Sequence, residues 1–370
     1  MATISIGPQE QQLLDAARGG DEDAYGRLLE PYQSELHAHC YRMLGSVHDA
    51  EDALQDSSLR AWRALAKFEG RSSLRSWLYT IATNTCLNLI AKRPKRVLPL
   101  DYGPAADPHG DGLGLPPIEE VWVEPYPDEG LGLEDGYAAP EARYELRESV
   151  ELAFVTALQH LPPNQRAALI LREVLGFSAA EAAEALETSV TSVNSALQRA
   201  RKTVDEDLPE ESQQATLRAL GDEAVQRVVA GYMDAMERHD VDAVVAMLSE
   251  DASWSMPPLA AWFQGSEALR GFLNFGPLSG DWRWRHLPAR VNGQAAVGSY
   301  CWYEPDGCYR PFALDVLTLD GERIREITSF IIRSTSSREP EDYLRFPEQP
   351  IHEADVTAAF QRFGLPDRLA

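Results

Sequence analysis

The chain has 370 residues, 44% of them hydrophobic, and a formal net charge of −24. That length holds two or three domains with real cores. Such acidity argues against a protein that grips duplex DNA tightly by itself, and suits one that reads DNA after docking on a larger basic machine. No signal peptide opens the sequence and no apolar run approaches a membrane span, so no membrane partner is expected and the expected setting is cytoplasmic. All four lysines, Lys67, Lys92, Lys95 and Lys202, precede residue 203.

Residues 1–8 read as a loose start. Gln9–Arg18 is a short helix ended by Gly19-Gly20, and Asp21 caps a longer helix that reaches Leu44 and stops at Gly45. In the next helix Ala50, Leu54, Ser58, Ala61 and Leu65 recur at helical spacing as the inward stripe. Its outer side near the start carries Asp49, Glu51, Asp52, Gln55 and Asp56. Phe68–Ser73 breaks the period, with Gly70 as breaker and Ser72 or Ser73 as N-cap. A second helix turns Leu74, Trp77, Leu78, Ile81, Ala82, Thr85 and Leu89 inward and points Arg75, Tyr79, Asn84 and Asn88 elsewhere. It runs into Lys92-Arg93-Pro94-Lys95-Arg96, a cationic cluster whose proline cannot continue the helix. Aromatic faces stack on exposed bases and cations neutralise phosphates, so this stretch has the makings of a single-strand site.

DAEDALQDSSLRAWR followed by FEGRSSLRSWLYTIATNTCLNLI resembles the second conserved domain of bacterial sigma factors of the extracytoplasmic-function group, over about Gln11 to Arg96. The resemblance implies that Asp49, Glu51, Asp52, Gln55 and Asp56 dock on the clamp helices of RNA polymerase. It implies that the Phe68–Ser73 link and the helix after it, with Arg71, Arg75, Tyr79 and Asn84, capture an unstacked base of the minus-ten promoter element. Lys92, Arg93, Lys95 and Arg96 would then hold nearby phosphates.

Residues 97–142 contain eight prolines, seven glycines and eleven Asp or Glu, with no Lys or Arg. They read as an acidic linker, either a spacer or a polyanion that occupies basic grooves on the partner. Val121-Trp122-Val123-Glu124-Pro125-Tyr126 is too apolar for a pure spacer and is expected to dock. It resembles a short Trp/Pro element in linkers of sigma factors that carry an extra C-terminal domain.

Tyr144–Leu161 is amphipathic, Pro162-Pro163 separates it from a helix at Gln165–Leu175, and Ser178 with Glu181 forms a capping box. After the turn Glu187-Thr188-Ser189, a helix turns Val190, Val193, Leu197, Ala200 and Val204 inward. Its outer face is Thr191, Ser192, Asn194, Ser195, Gln198, Arg199, Arg201 and Lys202, a helix-turn-helix reading surface that ends in cations. Asn and Gln can read adenine edges, and the arginines and Lys202 can hold phosphates or guanine; about half of such a face is expected to touch DNA. LPPNQRAALILREVLGFSAAEAAEALETSVTSVNSALQRARK resembles the fourth sigma domain throughout, which implies reading of the minus-thirty-five element and contact with the flap of the polymerase core.

From Gly221 the texture becomes α+β. Two helices reach Leu248, and strands are expected at Ala252–Met256 and around 282–291, 294–303, 309–319 and 323–332, with Asp320-Gly321 as a hairpin turn. Tyr232, Asp240, Leu248, Asp251 and Trp262-Phe263-Gln264-Gly265, then Ala313, Val316-Leu317, Ile324, Ile327 and Phe330, resemble the SnoaL-like cone fold of polyketide cyclases and ketosteroid isomerases. The resemblance implies an apolar pocket, with Trp254, Met256, Trp262, Phe272, Trp302, Phe312, Asp315 and Phe330 as candidate lining. Asp234, His239, Asp251, His286 and Asp315 are the candidate general bases, and Asp315 alone sits on a strand among apolar neighbours. No pair has a spacing suited to acid/base chemistry, so a sensory or autoregulatory role is expected rather than catalysis. Cys301 and Cys308 could face each other across a hairpin, with the reduced state expected. Cys40 and Cys86 read as small buried hydrophobes.

The fold class expected is therefore multidomain: two all-α sigma domains, at 9–96 and 143–207, the second with a helix-turn-helix, joined by the 97–142 linker. An α+β SnoaL-like cone follows at 220–335 and a tail at 336–370, with a short helix at Asp355–Phe363 and with Phe346, Phe360, Phe363 and Leu365 as anchors. The function implied is that of an alternative sigma factor, with RNA polymerase core and promoter DNA as partners and no cofactor or metal. Two other readings stand beside it: a helix-turn-helix regulator that needs no polymerase, and a C-terminal domain that binds or turns over a small ligand.

Overall fold

The structure is a computed structural model that describes residues 8–70, 72–108, 113, 121–128, 148–209, 211–331 and 360–370. It divides into two compact units, Met1–Lys95 with Ala153–Leu208, and Arg96–Leu152 with Pro209–Ala370.

The first unit is all helical. α1 (Pro8–Arg18), α2 (Glu22–Leu29), α3 (Gln33–Leu44), α4 (Val47–Ala64) and α5 (Leu74–Ile90) form its first half. Asp21 caps α2 through a bond from the Ala24 amide. The single long helix expected from Asp21 to Leu44 is interrupted by a 3₁₀ turn at Glu30–Tyr32, because Pro31 has no amide to donate. Gly45, at φ 69°, ends α3 in the left-handed region. On α4 the buried stripe is Ala50, Ala53, Ser57 and Ala61, one residue round from the expected Leu54 and Ser58, which are half-buried. Small residues there let α4 approach its neighbours closely. α5 has buried residues on every side, Tyr79, Thr83 and Cys86 among them. It lies between α3 and α4 on one side and α8 (Ala179–Ala185) on the other.

The second half of this unit is α6 (Leu152–His160), α7 (Pro163–Leu169) continued by a wide turn at Ile170–Val174, then α8 and α9 (Val190–Asp207). Ser178 and Glu181 make the expected capping box. A buried cation ties the two halves together. Arg166, 4% exposed, donates to the backbone carbonyls of Gln159 (3.0 Å) and Met43 and to Gln159 Oε1 (2.6 Å). Gln159 Nε2 in turn donates to the Arg42 carbonyl at 3.1 Å. Carbonyls at a helix end have no partner within the helix, and a buried cation needs acceptors; here each satisfies the other. Burial nevertheless pulls the Arg166 pKa down to about 10.

The second unit holds α10 (Gln213–Leu220), α11 (Asp222–Glu237), α12 (Val241–Met247), α13 (Ser266–Phe275) and a six-stranded sheet. The strands are β1 (Leu248–Ser255), β2 (Trp262–Gln264), β3 (Trp284–Val291), β4 (Gln294–Tyr303), β5 (Cys308–Asp320) and β6 (Arg323–Ile331), in the order β2-β1-β6-β5-β4-β3. β1 and β6 run parallel, and the other neighbours are antiparallel. α11 and α13 pack on one face, so Val225, Val229, Tyr232, Phe272 and Leu273 share a core with Val297, Leu317 and Ile327.

The β3–β4 turn is a hub. Asn292 and Gly293 both have positive φ (55° and 70°), as a two-residue hairpin turn requires. The Asn292 side chain accepts from the Tyr126 amide (2.9 Å) and donates to the Val150 carbonyl (2.7 Å). The Gly293 amide donates to Asp128 Oδ1 at 2.8 Å, and its carbonyl accepts from the Gln214 side chain at 2.6 Å. One turn thus holds the linker, the run into α6 and the start of α10. The Val121–Tyr126 element docks within this unit: the Val97 and Val123 amides pair with the Val121 and Val97 carbonyls, and Trp122 is buried.

Cys301 pairs in register with Arg310, and Cys308 with Tyr303, so the two cysteines do not face each other and no disulfide joins them. The loop between them sets a register that the Glu304–Gly307 turn alone does not reveal. Cys40 and Cys86 are fully buried, as expected. The end of the tail packs on the sheet: Phe360 lies edge-on to Tyr300, and the Leu369 and Tyr309 backbones pair. Phe346 and most of the expected Asp355–Phe363 helix lie outside the described residues. Among the described residues no helix is long and apolar enough to cross a membrane.

Candidate functional site

The outer face of α4 carries Glu51, Asp52 and Gln55 exposed, with Leu59 beside them at 49% exposure. Asp56 is half-buried and holds Arg60 one turn on, at 2.8 Å. Asp49 departs from the expected outward position. It is 4% exposed, in the first turn of α4, and pairs with Arg93. The chain after α5 returns past the start of α4, which no helical periodicity could reveal.

On α5, Arg75 and Tyr79 converge on Glu35 Oε2 of α3, at 3.2 and 3.1 Å. Tyr79 was expected to point outward, yet it is fully buried, edge-on to His39 on one side and to Phe177 on the other. Phe177 opens the helix-turn-helix, so the second half of the unit covers this aromatic. The Arg75 guanidinium lies over both rings, 4.9 Å from Tyr79 and 5.2 Å from Phe177. Burial, with Glu35 close by, raises the Tyr79 phenol above its ordinary range. Asn84 is half-buried, and Arg71 lies outside the described residues.

The cationic run divides. Lys92 and Lys95 are exposed, while Arg93 faces Asp49. Arg96 is buried and belongs to the second unit, donating to the Trp122 carbonyl at 2.8 Å with Glu124 at 3.6 Å. It therefore anchors the linker instead of facing phosphates.

α9 presents the expected surface. Val193, Leu197, Ala200 and Val204 are buried; Thr191, Ser192, Asn194, Gln198, Arg199, Arg201 and Lys202 are exposed; Ser195 is intermediate. Val190 is 43% exposed, because it starts the helix beyond the reach of the core. Ser189 caps α9 and shares its hydroxyl with Ser192 at 2.9 Å. Arg201 pairs with Glu173, and Lys202 with Glu206 at 3.9 Å.

In the second unit a cavity of about 190 Å³ opens between the sheet and α11 and α13. Of the candidate lining, Trp254, Met256, Phe272, Phe312 and Asp315 line it. Trp262, Trp302 and Phe330 do not. Trp262 donates its indole N–H to the Gly103 carbonyl, and Trp302 bonds Glu304 outside the cavity. Phe330 follows Ser329 on β6, so strand alternation turns it to the opposite face. Phe312 reaches the cavity beside Ala313 because the register skips between Ser299↔Ala313 and Tyr300↔Pro311, leaving it as the extra residue of a bulge. His286, a candidate base, also lines it, and so do Trp282, Trp284, Ser299, Ser329 and Leu113, which were not placed there from sequence. Trp284 and His286 carry a legible signal, since alternate residues of β3 share a face.

Asp315 sits in this wall, 3% exposed. Its Oδ2 accepts from the Tyr232 hydroxyl (3.0 Å) and the Ser299 hydroxyl (2.9 Å). Trp254 Nε1 donates to Ser329 Oγ at 2.8 Å, and Ser329 bonds Asp315. Burial raises the Asp315 carboxyl above its ordinary range, although these hydroxyls and the charge of His286 act the other way. His286 is buried, its Nδ1 3.5 Å from Glu237 Oε1, and neither ring nitrogen has a hydrogen-bond partner. Asp234, His239 and Asp251, the remaining candidate bases, are absent from the wall.

Family models match three stretches: sigma-70 region 2 over residues 28–96, sigma-70 region 4 over 151–204, and a SnoaL-like domain over 229–327. The ECF RNA polymerase sigma factor SigG of Mycobacterium tuberculosis is 41% identical over 359 residues, covering 95% of this chain and 86% of its own length. The RNA polymerase sigma-H factor of Pseudomonas aeruginosa is 31% identical over 54% of this chain and 94% of its own. The crystal structure of the Mycobacterium tuberculosis extracytoplasmic function sigma factor SigJ has a similar fold, with a TM-score of 0.50 at 23% identity over 82% of this chain and 95% of that one. An exposed recognition helix, an acidic α4 face and near full-length similarity lead to one conclusion: the chain belongs to the extracytoplasmic-function RNA polymerase sigma factors, which direct promoter-specific initiation of transcription.

Proposed function

We propose that the outer face of α4, with Glu51, Asp52, Gln55 and Asp56, docks on the clamp of the polymerase core, and that α9 reads the minus-thirty-five element through Asn194 and Gln198. Exposed carboxylates beside an exposed Leu59 suit a basic, partly apolar docking groove. Lys92, Lys95, Arg199, Arg201 and Lys202 supply phosphate contacts, and α5 supplies the single-strand site once Tyr79 is uncovered. The setting is the cytoplasm, where polymerase works.

The SnoaL-like domain acts as a built-in regulator of this activity. The observation that carries this reading is the Asn292–Gly293 turn, which bonds Tyr126, Asp128, Val150 and Gln214, residues that flank the helix-turn-helix half on both sides in sequence. A domain that grips both flanks of a DNA-reading module can govern when it swings to its promoter element. The test is transcription by reconstituted polymerase on a promoter library, full-length chain against a chain ending at residue 208. A strong change in output, of either sign, supports the regulator; identical output removes it. Failure of the chain to recover polymerase subunits in pull-downs would remove the docking assignment.

A further inference from the structure

We propose that Val190 is a specificity-determining residue, which reads the C5 methyl group of a thymine in the minus-thirty-five element, one or two base pairs from the base read by Asn194. The proposal rests on the reading of that element by α9, and its test tells the failure of one from the failure of the other.

Neither the core nor the helix accounts for a valine here. Val190 opens α9 and is 43% exposed, whereas Val193, Leu197, Ala200 and Val204 of the same helix are buried. Among the described residues it is one of four large hydrophobic side chains that stand exposed, and the other three, Leu59, Tyr102 and Phe275, are not on α9. A β-branched residue is a poor helix former, and first turns favour proline or acidic side chains. Ser189 already supplies the start signal, since its side chain accepts from the Ser192 amide at 3.1 Å. Single exposed apolar residues are common on protein surfaces, so position decides what this one means.

That position is the reading end. In a helix-turn-helix the N-terminal residues of the second helix contact base edges. Val190, Asn194 and Gln198 follow one another at intervals of four residues, so they form one row along α9, and all three are exposed. The two amides can read hydrogen-bonding edges and the valine cannot. An isopropyl group has no donor or acceptor, and the major groove offers it one apolar partner, the thymine C5 methyl. A helical turn advances about 5.4 Å and a base step about 3.4 Å, which sets that methyl one or two base pairs from the base facing Asn194. Thr191 carries the other exposed methyl of the first turn, but it lies about 100° round the helix from the row, and its hydroxyl can bond to either kind of edge.

The experiment uses polymerase core reconstituted with the full-length chain, and a promoter that this holoenzyme selects from a random library. Each thymine of the minus-thirty-five element is replaced in turn by deoxyuridine, which removes the C5 methyl and keeps every hydrogen-bonding edge. Relative affinity is read by competition. The expected result is a loss of about fourfold at one thymine, the worth of one buried methyl group, within two base pairs of the position at which Asn194→Ala relaxes preference. Val190→Ala, a change at an exposed site to a better helix former, is expected to weaken the parent promoter by a similar factor and to bind the thymine and deoxyuridine forms equally. Thr191→Ser is expected to keep the thymine preference.

A preference that persists in Val190→Ala, or that disappears in Thr191→Ser, overturns the role of Val190. So does a selected element with no methyl-sensitive thymine. If Asn194→Ala and Gln198→Ala relax promoter preference in those cases, α9 remains the reader and the valine assignment alone is lost; if they do not, both are lost. If Val190→Ala abolishes the methyl effect while the two amide variants change nothing, the valine stands and the amides are not the readers.

Discussion

Phe177 lies edge-on against Tyr79, ring centroids 5.4 Å apart, so the first residue of the helix-turn-helix segment caps the aromatic of α5. The pair is buried on both sides. On the single-strand role proposed for α5, Tyr79 would stack on a base only once the two halves of the helical unit part.

Phe177→Ala should uncover it. Removing a buried phenylalanine costs about 3 kcal/mol, so the thermal midpoint should fall and amides of Ala179–Ala185 should exchange faster. Binding to a single-stranded minus-ten oligonucleotide, followed by fluorescence anisotropy, should tighten several-fold. Unchanged affinity in a folded variant would show that Tyr79 is not the covered contact.

The cations after α5 separate into exposed lysines, Lys92 and Lys95, and structurally paired arginines, Arg93 and Arg96. In reconstituted holoenzyme, Asn194→Ala with Gln198→Ala should lower activity on matched promoters by an amount worth about 1–3 kcal/mol per lost base contact, and flatten promoter preference. Lys92→Ala with Lys95→Ala should weaken all promoters alike and reduce the salt dependence by about one unit of slope per contact. Arg93→Ala should instead act on folding, by about 1 kcal/mol, since its partner is Asp49. Chemical denaturation distinguishes the two groups.

Asn292→Asp keeps the acceptor for the Tyr126 amide but places a carboxylate against the Val150 carbonyl. The lost donor and the added charge should cost about 2 kcal/mol. Hydrogen exchange should rise at Tyr126 and Leu152 while the strands of the sheet keep their protection. If the midpoint and exchange stay as in the parent, the turn is not the hub described.

Glu151 gives a pH signature. It accepts from the Gln213 and Gln214 amides at the start of α10, but burial outweighs those bonds and raises its pKa from 4.5 to about 7. The folded state therefore binds the proton more tightly than the unfolded chain. This contribution to stability is present below about pH 4.5 and is lost as pH rises towards 7, by about 3 kcal/mol at most. Asp315, also raised, acts in the same direction. Glu151→Gln should flatten the decline, which denaturation curves from pH 5 to 8 would reveal.

Local spacing was enough to read α9 and the capping box at Ser178 and Glu181, because each depends on residues a few positions apart, whereas the wall residues Trp254, Met256 and Phe272 followed from the resemblance to the cone fold. Its limits are equally physical. Tyr79 reads as outward on a helix with one partner, but α5 is packed on both sides and hides it. Asp49 and Arg93, like Arg96 and Trp122, meet only because the chain returns on itself, and a charge count cannot tell a paired cation from one facing phosphate. His286 was weighed as a base, yet nothing in its neighbourhood announces that both ring nitrogens lack a hydrogen-bond partner.

The amino-acid sequence by itself determined the order of the parts, the helix that reads DNA and the acidic face beside it, because periodicity and caps are short-range. Which of those side chains stay available was decided by tertiary packing: long-range pairs bury Tyr79, Asp49 and Arg96 and leave His286 unsatisfied, and such pairs depend on where distant segments come to rest.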